Sequence, residues 1–130
     1  MNRSITGRAA QQIADLQEHD LLLAQVVQSS SAESGVAAAA SRRTLELQTA
    51  RIAMLGEIPE PWRSQYERIA ERYGRAVVPV QGQTCLGCYA CVPSAATPRT
   101  RTTPTISRCE CCGRLLLWAA HPTRQPGLAP

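Results

Sequence analysis

CLGCYAC, residues 85–91, sets three cysteines at even spacing, so that two overlapping Cys-x-x-Cys pairs compete for Cys88. CECCG, residues 109–113, supplies the other three of the six cysteines in the chain. In a reducing compartment, clustered pairs of this kind read as metal ligands or redox thiols rather than structural disulfides. Zn²⁺ favours tetrahedral thiolate coordination, and two Cys-x-x-Cys turns across a loop offer four sulfurs at about 2.3 Å with little strain. Cys85 and Cys88 with Cys109 and Cys112 give C-x2-C-x20-C-x2-C, while Cys88 and Cys91 with the same second pair give C-x2-C-x17-C-x2-C. Both spacings suit zinc, so spacing alone does not choose. Turn chemistry favours the first set. Gly113 directly follows Cys112 and Gly87 lies inside the 85–88 turn, whereas 88–91 holds Tyr89 and Ala90 and runs into Val92-Pro93. Cys91 and Cys111 are then spare thiols, packed or partly exposed, with a redox role as the alternative.

Outward from the cysteines, AVVPV at 76–80 and RLLLW at 114–118 have strand composition, with Pro79 suggesting an edge, and a short strand re-enters near Ile106. Between the clusters, 92–108 is rich in Thr, Pro and Arg and reads as a loop. A unit of this size with few large apolar side chains lacks the core to fold unaided, a deficit that one structural Zn²⁺ can fill.

Upstream, Ala9, Ile13, Leu16, Leu23 and Val27 mark an apolar seam on a helix over about 7–28, interrupted by Asp20. SSSAESG, 29–35, reads as a turn, and a second helix over about 36–55 puts Ala38, Leu45, Ile52 and Leu55 on one face. An antiparallel helical hairpin, coiled-coil-like, is the simplest arrangement. One continuous helix through the serines, about 75 Å long at ~1.5 Å per residue, is the rival. Either leaves a thin core, which suggests a homodimer through the helical arm. GEIPEPW ends this arm, Pro61 suits the first turn of a new helix, and Trp62, Tyr66, Ile69 and Tyr73 form an aromatic stripe closed by Gly74. That stripe is expected to pack against the cysteine unit. The layout is α plus small β: helical hairpin 1–58, short connecting helix 59–75, cysteine unit 76–120 as a zinc ribbon, and a Pro- and Gly-rich tail 121–130 expected to be disordered.

Every basic residue apart from the histidines is arginine; residues 1–74 carry eight against nine Asp and Glu, and residues 75–130 carry six against one Glu. The basic end points to phosphate recognition, with Arg99, Arg101, Arg108 and Arg114 as candidate nucleic-acid contacts. No secretory leader pattern follows Met1 and no apolar run reaches membrane-spanning length, so a cytoplasmic protein without a membrane partner is expected. Catalysis finds no support in the sequence. His19 lies in the first helix and His121 in the tail, neither beside an evident nucleophile; no phosphate-binding glycine loop occurs; and four cysteines would close a metal site to substrate. No small-molecule substrate is expected.

YERIAERYGRAVVPVQGQTCLGC, 66–88, followed by CECCGRLLLW, 109–118, resembles the bacterial C4-type zinc-ribbon family of helical-hairpin proteins ending in a ribbon. The resemblance spans roughly Ile58 to Trp118 and implies Cys85, Cys88, Cys109 and Cys112 as the ligands. It also implies a role in nucleic-acid binding or transcription, with an alternative sigma factor as partner in some members; the hairpin-plus-zinc layout is similar as well to factors that enter the RNA polymerase secondary channel, though 29–35 offers only Glu33 of the paired acidic residues those use. The arm here is shorter than the family's, and the extra cysteines depart from its pattern. A protein-binding adaptor that uses the arm, with the ribbon as a cap, and a thiol redox sensor using Cys91 and Cys111 are the alternatives.

Overall fold

The computed structural model describes residues 4–30, 37–98 and 102–119. Of the expected turn 29–35, residues 29 and 30 continue the first helix instead, while 31–35, Arg99, Arg101 and the tail 121–130 with His121 lie outside these. The described residues form three helices and a five-stranded sheet: β1 (Ser4–Thr6), α1 (Arg8–Ser30), α2 (Ala37–Glu57), α3 (Trp62–Tyr73), β2 (Val77–Gln81), β3 (Thr84–Cys85), β4 (Thr105–Arg108) and β5 (Leu115–Trp118). A short 3₁₀ turn occupies Ser94–Ala96.

The strand order is β1-β4-β5-β2-β3, with β2 and β5 parallel and every other pair antiparallel. The two-residue alternation of a strand sorts side chains to opposite faces. Val77, Ile106 and Leu115 join Ala10, Ile13 and Leu16 of α1 and Trp62, Tyr66 and Ile69 of α3 in one core. Val78, Leu116 and Trp118 join Cys85, Val92 and Cys109 in a second. The sheet is therefore covered on both faces, by helices on one side and by the cysteine turns on the other. Two-sided burial is why AVV and LLLW read as unbroken apolar runs.

The N-terminal residues were expected to belong to a helical arm, yet Ser4–Thr6 extend the sheet beside β4, with Ile5 facing Ile106. The segments expected as arm, connecting helix and cysteine unit share one core. β2 is also an inner strand rather than an edge. Its Pro79 is tolerated because its missing N–H falls on the side away from β5, where the ladder is interrupted. There the Gln17 side chain caps Val77 through Nε2 to the carbonyl (2.7 Å) and Oε1 from the N–H (2.6 Å), and Leu86 N–H donates to the Pro79 carbonyl.

Helices α1 and α2 run antiparallel, since Gln12 meets Glu57 while Asp20 meets Arg51 and His19 Nε2 donates to the Leu47 carbonyl. The buried stripe of α2 differs from the expected one. Leu47 is buried and Met54 and Leu55 half-buried, with Ile58 buried just past the helix end, but Leu45 is 64% exposed and Ile52 72% exposed. Arg51 occupies the inner stripe and disguises it. On α1 the seam is Ala10, Ile13, Leu16 and Gln17, while Val27 faces outward. Asp20, which broke the apolar pattern, accepts Arg51 Nε (2.6 Å) and Tyr66 OH (2.8 Å), tying the three helices together.

The aromatic stripe of α3 packs against the cysteine unit, 76–120: Trp62, Tyr66 and Ile69 share the helix-side core with Ala76, Val77, Ile106 and Leu115, and Tyr73, the last of the four, reaches the second cysteine turn itself. Gly74, at φ 81°, ends the helix by donating its N–H to the Ala70 carbonyl.

Candidate metal centre

Two turns of similar build hold the cysteines. The first follows β3 and the second joins β4 to β5. In each, the residue after the second cysteine turns into the left-handed region and donates its N–H to the carbonyl of the first: Tyr89 (φ 63°) to Cys85 at 2.7 Å, and Gly113 (φ 82°) to Cys109 at 3.0 Å. Gly87 N–H approaches Cys85 Sγ at 3.4 Å.

These turns bring the sulfurs of Cys85, Cys88, Cys109 and Cys112 within 4.8 Å of one another. Cys85 Sγ lies 3.9 Å from Cys112 Sγ, and Cys88 Sγ lies 3.8 Å from Cys109 Sγ. A tetrahedron with metal–sulfur bonds of about 2.3 Å has sulfur–sulfur edges of about 3.8 Å. The donor set therefore fits one tetrahedral ion and offers only thiolates.

Protonation of the cluster is uneven. At Cys88 the Ala90 N–H favours the thiolate, but burial and the thiols of Cys85, Cys109 and Cys112 outweigh it and push the group up to about 12. At Cys112 burial raises the value, while the Arg114 N–H, the Cys109 thiol and the Arg114 guanidinium bring it down to about 7. Four sulfurs in contact cannot all ionise alone; a divalent cation removes that conflict and releases their protons.

Glycine chemistry helped pick Cys85 and Cys88 from the sequence, but not for the reason expected. Gly87 is not among the left-handed residues. What requires glycine there is close approach, because a Cβ at 87 would sit 2.8 Å from Arg114 Cδ and 2.9 Å from Arg114 Nη1. The left-handed position is Tyr89, which the sequence reading passed over. Comparison of the two turns could have found it, since Tyr89 occupies the place after the second cysteine that Gly113 holds in the other.

Cys91 and Cys111 stand outside the cluster, both exposed, and both line a groove of about 270 Å³ with Val92, Pro93, Arg108 and Leu116. Arg108 is exposed beside the second turn. Arg114 is half-buried, its guanidinium 3.9 Å above the Tyr73 ring. His19, bonded to the Leu47 carbonyl, lies in the helical half. Among the described residues, no helix is long and apolar enough to cross a membrane.

Together these features define an α plus small β protein with a four-cysteine cluster able to hold a metal ion. No family model matches the chain, and neither does any curated protein or solved structure. The likeness to C4-type zinc ribbons thus rests on the motif residues alone.

The cluster separates six similar thiols into two groups. Changing Cys85, Cys88, Cys109 or Cys112 singly to Ser is expected to lower zinc affinity by on the order of 100-fold or more, one ligand's share of the ~10–16 kcal/mol typical of structural zinc. Cys91→Ser and Cys111→Ser should keep one zinc per chain. Native mass spectrometry reads both outcomes, and loss of metal from Cys91→Ser would show that the register of the first turn is wrong.

Proposed function

We propose that the chain is a non-enzymatic zinc-ribbon binding protein. A helical hairpin carries a ribbon in which Cys85, Cys88, Cys109 and Cys112 hold one structural Zn²⁺, and the basic cysteine end contacts nucleic acid or the nucleic-acid-bound transcription machinery. The observation that carries this reading is the closed, all-sulfur donor set at tetrahedral spacing. Such a set leaves no open position for water or substrate, which favours scaffolding over catalysis. Soft thiolates select Zn²⁺ over hard cations, and elemental analysis separates zinc from iron in the same cage.

Arg108 is the described candidate best placed for phosphate, exposed beside the second turn. Arg114 is engaged with Tyr73 instead. If Arg108 acts together with Arg99 and Arg101, roughly three phosphate contacts give a log–log salt slope near −2 on single strands. Binding to a labelled oligonucleotide should then weaken about tenfold to thirtyfold between 50 and 200 mM salt. Arg108→Ala should flatten the slope by somewhat under one unit. Salt-independent affinity, or none, would remove the nucleic-acid part of the proposal.

Leu45 and Ile52 support a second reading, as two widely exposed apolar residues seven apart on one face of α2. They suit a protein partner for the helical arm, a second copy included, with the ribbon as a cap. Changing both to Ser would abolish that association and leave oligonucleotide binding unchanged.

A further inference from the structure

Arg114 touches more of the cysteine centre than a surface arginine needs to. Its Cδ and Nη1 lie so close over Gly87 of the first turn that a Cβ there would meet them at 2.8 and 2.9 Å and force Arg114 to shift. Its backbone carbonyl accepts the Cys109 N–H of the second turn at 2.8 Å. The guanidinium then stacks on Tyr73 at 3.9 Å, and Tyr73 OH donates to the Cys112 carbonyl at 3.1 Å. One residue thus spans both turns and fastens them to the last residue of α3. This arrangement does not suit phosphate recognition, because the planar face of the guanidinium is already committed to Tyr73.

We propose that Arg114 is a positioning residue of the metal centre, a clamp that holds the two cysteine turns at ligand spacing, offsets the charge of the loaded site, and makes metal retention depend on Tyr73 of α3. A divalent ion with four thiolates carries a formal charge of about −2, and a guanidinium fixed over Gly87 beside the site favours that state over the empty, protonated one. Groups that orient metal ligands from behind typically change affinity about 10–100-fold when removed. Gly87 is required because the clamp crosses it, and Tyr73 supplies the flat surface on which the clamp rests. The inference rests on the zinc reading above.

The test uses the full chain loaded with zinc and measures affinity and the rate of zinc transfer to a chromogenic chelator. Arg114→Gln is expected to lower affinity about 10–100-fold and to speed release. Arg114→Lys should recover part of the affinity, since it restores charge without the plane that stacks. Tyr73→Leu should weaken binding in the wild-type background but add little to Arg114→Gln, because both remove the same arrangement. In the Co²⁺-substituted protein, Arg114→Gln should also shift the thiolate-to-cobalt charge-transfer band, which a purely packing role would leave in place. If Arg114→Gln fails to fold, Tyr73→Leu and Gly87→Ala are judged by the same affinity and release criteria. Wild-type affinity and release in folded variants, or an unmoved cobalt band, would overturn the clamp. A wild-type chain that binds neither Zn²⁺ nor Co²⁺ would instead overturn the zinc reading itself.

Discussion

Removing zinc with a chelator is expected to redden and weaken the emission of Trp118 strongly while changing that of Trp62 far less. The chain has two tryptophans, and the fold places one in each core. Trp118 is 1% exposed and packs with Cys85 and Cys109, its indole N–H donating to Ser107 Oγ at 2.9 Å. Trp62 packs with Tyr66 and Ile13 on the opposite face of the sheet. The cysteine-side core is small, and structural zinc typically supplies roughly 10–16 kcal/mol at neutral pH, comparable to the whole stability of an ordinary domain. The chains Trp62→Phe and Trp118→Phe isolate each signal. The disturbance should also reach β1, since Ser4–Thr6 pair with β4, whose Arg108 leads directly into Cys109. Amide protection at residues 4–6 should therefore fall together with that of 105–118. An unmoved Trp118 signal in fully metal-free protein would remove zinc from the folding account.

Asp20→Ala should strongly destabilise the helical half, costing about 2–3 kcal/mol by thermal or denaturant unfolding. It strips the partner from the phenol of Tyr66, a residue 1% exposed, and from Arg51. Because the Asp20 and Arg51 side chains remain 23% and 28% exposed, the loss stays below that of a fully buried pair. Asp20→Asn keeps an acceptor for the phenol and should cost less than half as much.

The same contact fixes an alkaline limit. Burial, then the hydrogen bond to Asp20, raises the ionisation of Tyr66 well above the ordinary phenol value. The folded state therefore keeps the neutral phenol. Its contribution is complete below the unfolded pKa of about 10 and falls as pH rises beyond that point. Tyr66→Phe should lose the Asp20 contact at neutral pH yet show a shallower decline above about pH 10. An equal decline in both proteins would exclude Tyr66 as the source.

Cysteine spacing, the strand runs at 77–81 and 115–118, and the Trp62–Tyr73 helix were legible because each rests on local chemistry: turn geometry, two-sided burial, and a glycine stop. What escaped depends on partners distant in sequence. SIT, residues 4–6, has no pattern of its own and becomes a strand only because β4 offers an edge. The inner face of α2 was misread because Arg51 occupies it, and an arginine looks like solvent until Asp20 and Glu67 are known to meet it. Pro79 argued for an edge, which holds for isolated strands but fails where a glutamine side chain and a loop amide take the place of a neighbour. At the metal centre the four thiols could be chosen from spacing and glycines. The purpose of Gly87 could not, because it is set by an arginine from the other turn.

Pairing Ile5 with Ile106 also constrains the order of assembly. The first strand of the sheet must wait for nearly the last, so during synthesis the three helices emerge long before the surface they cover exists. Long-range pairing of this kind slows folding, because the loop must close before any contact rewards it. The helices, which contact each other locally, can form a provisional unit. The sheet can then assemble only once the chain has passed the second cysteine turn, when all four thiols are present to be drawn together.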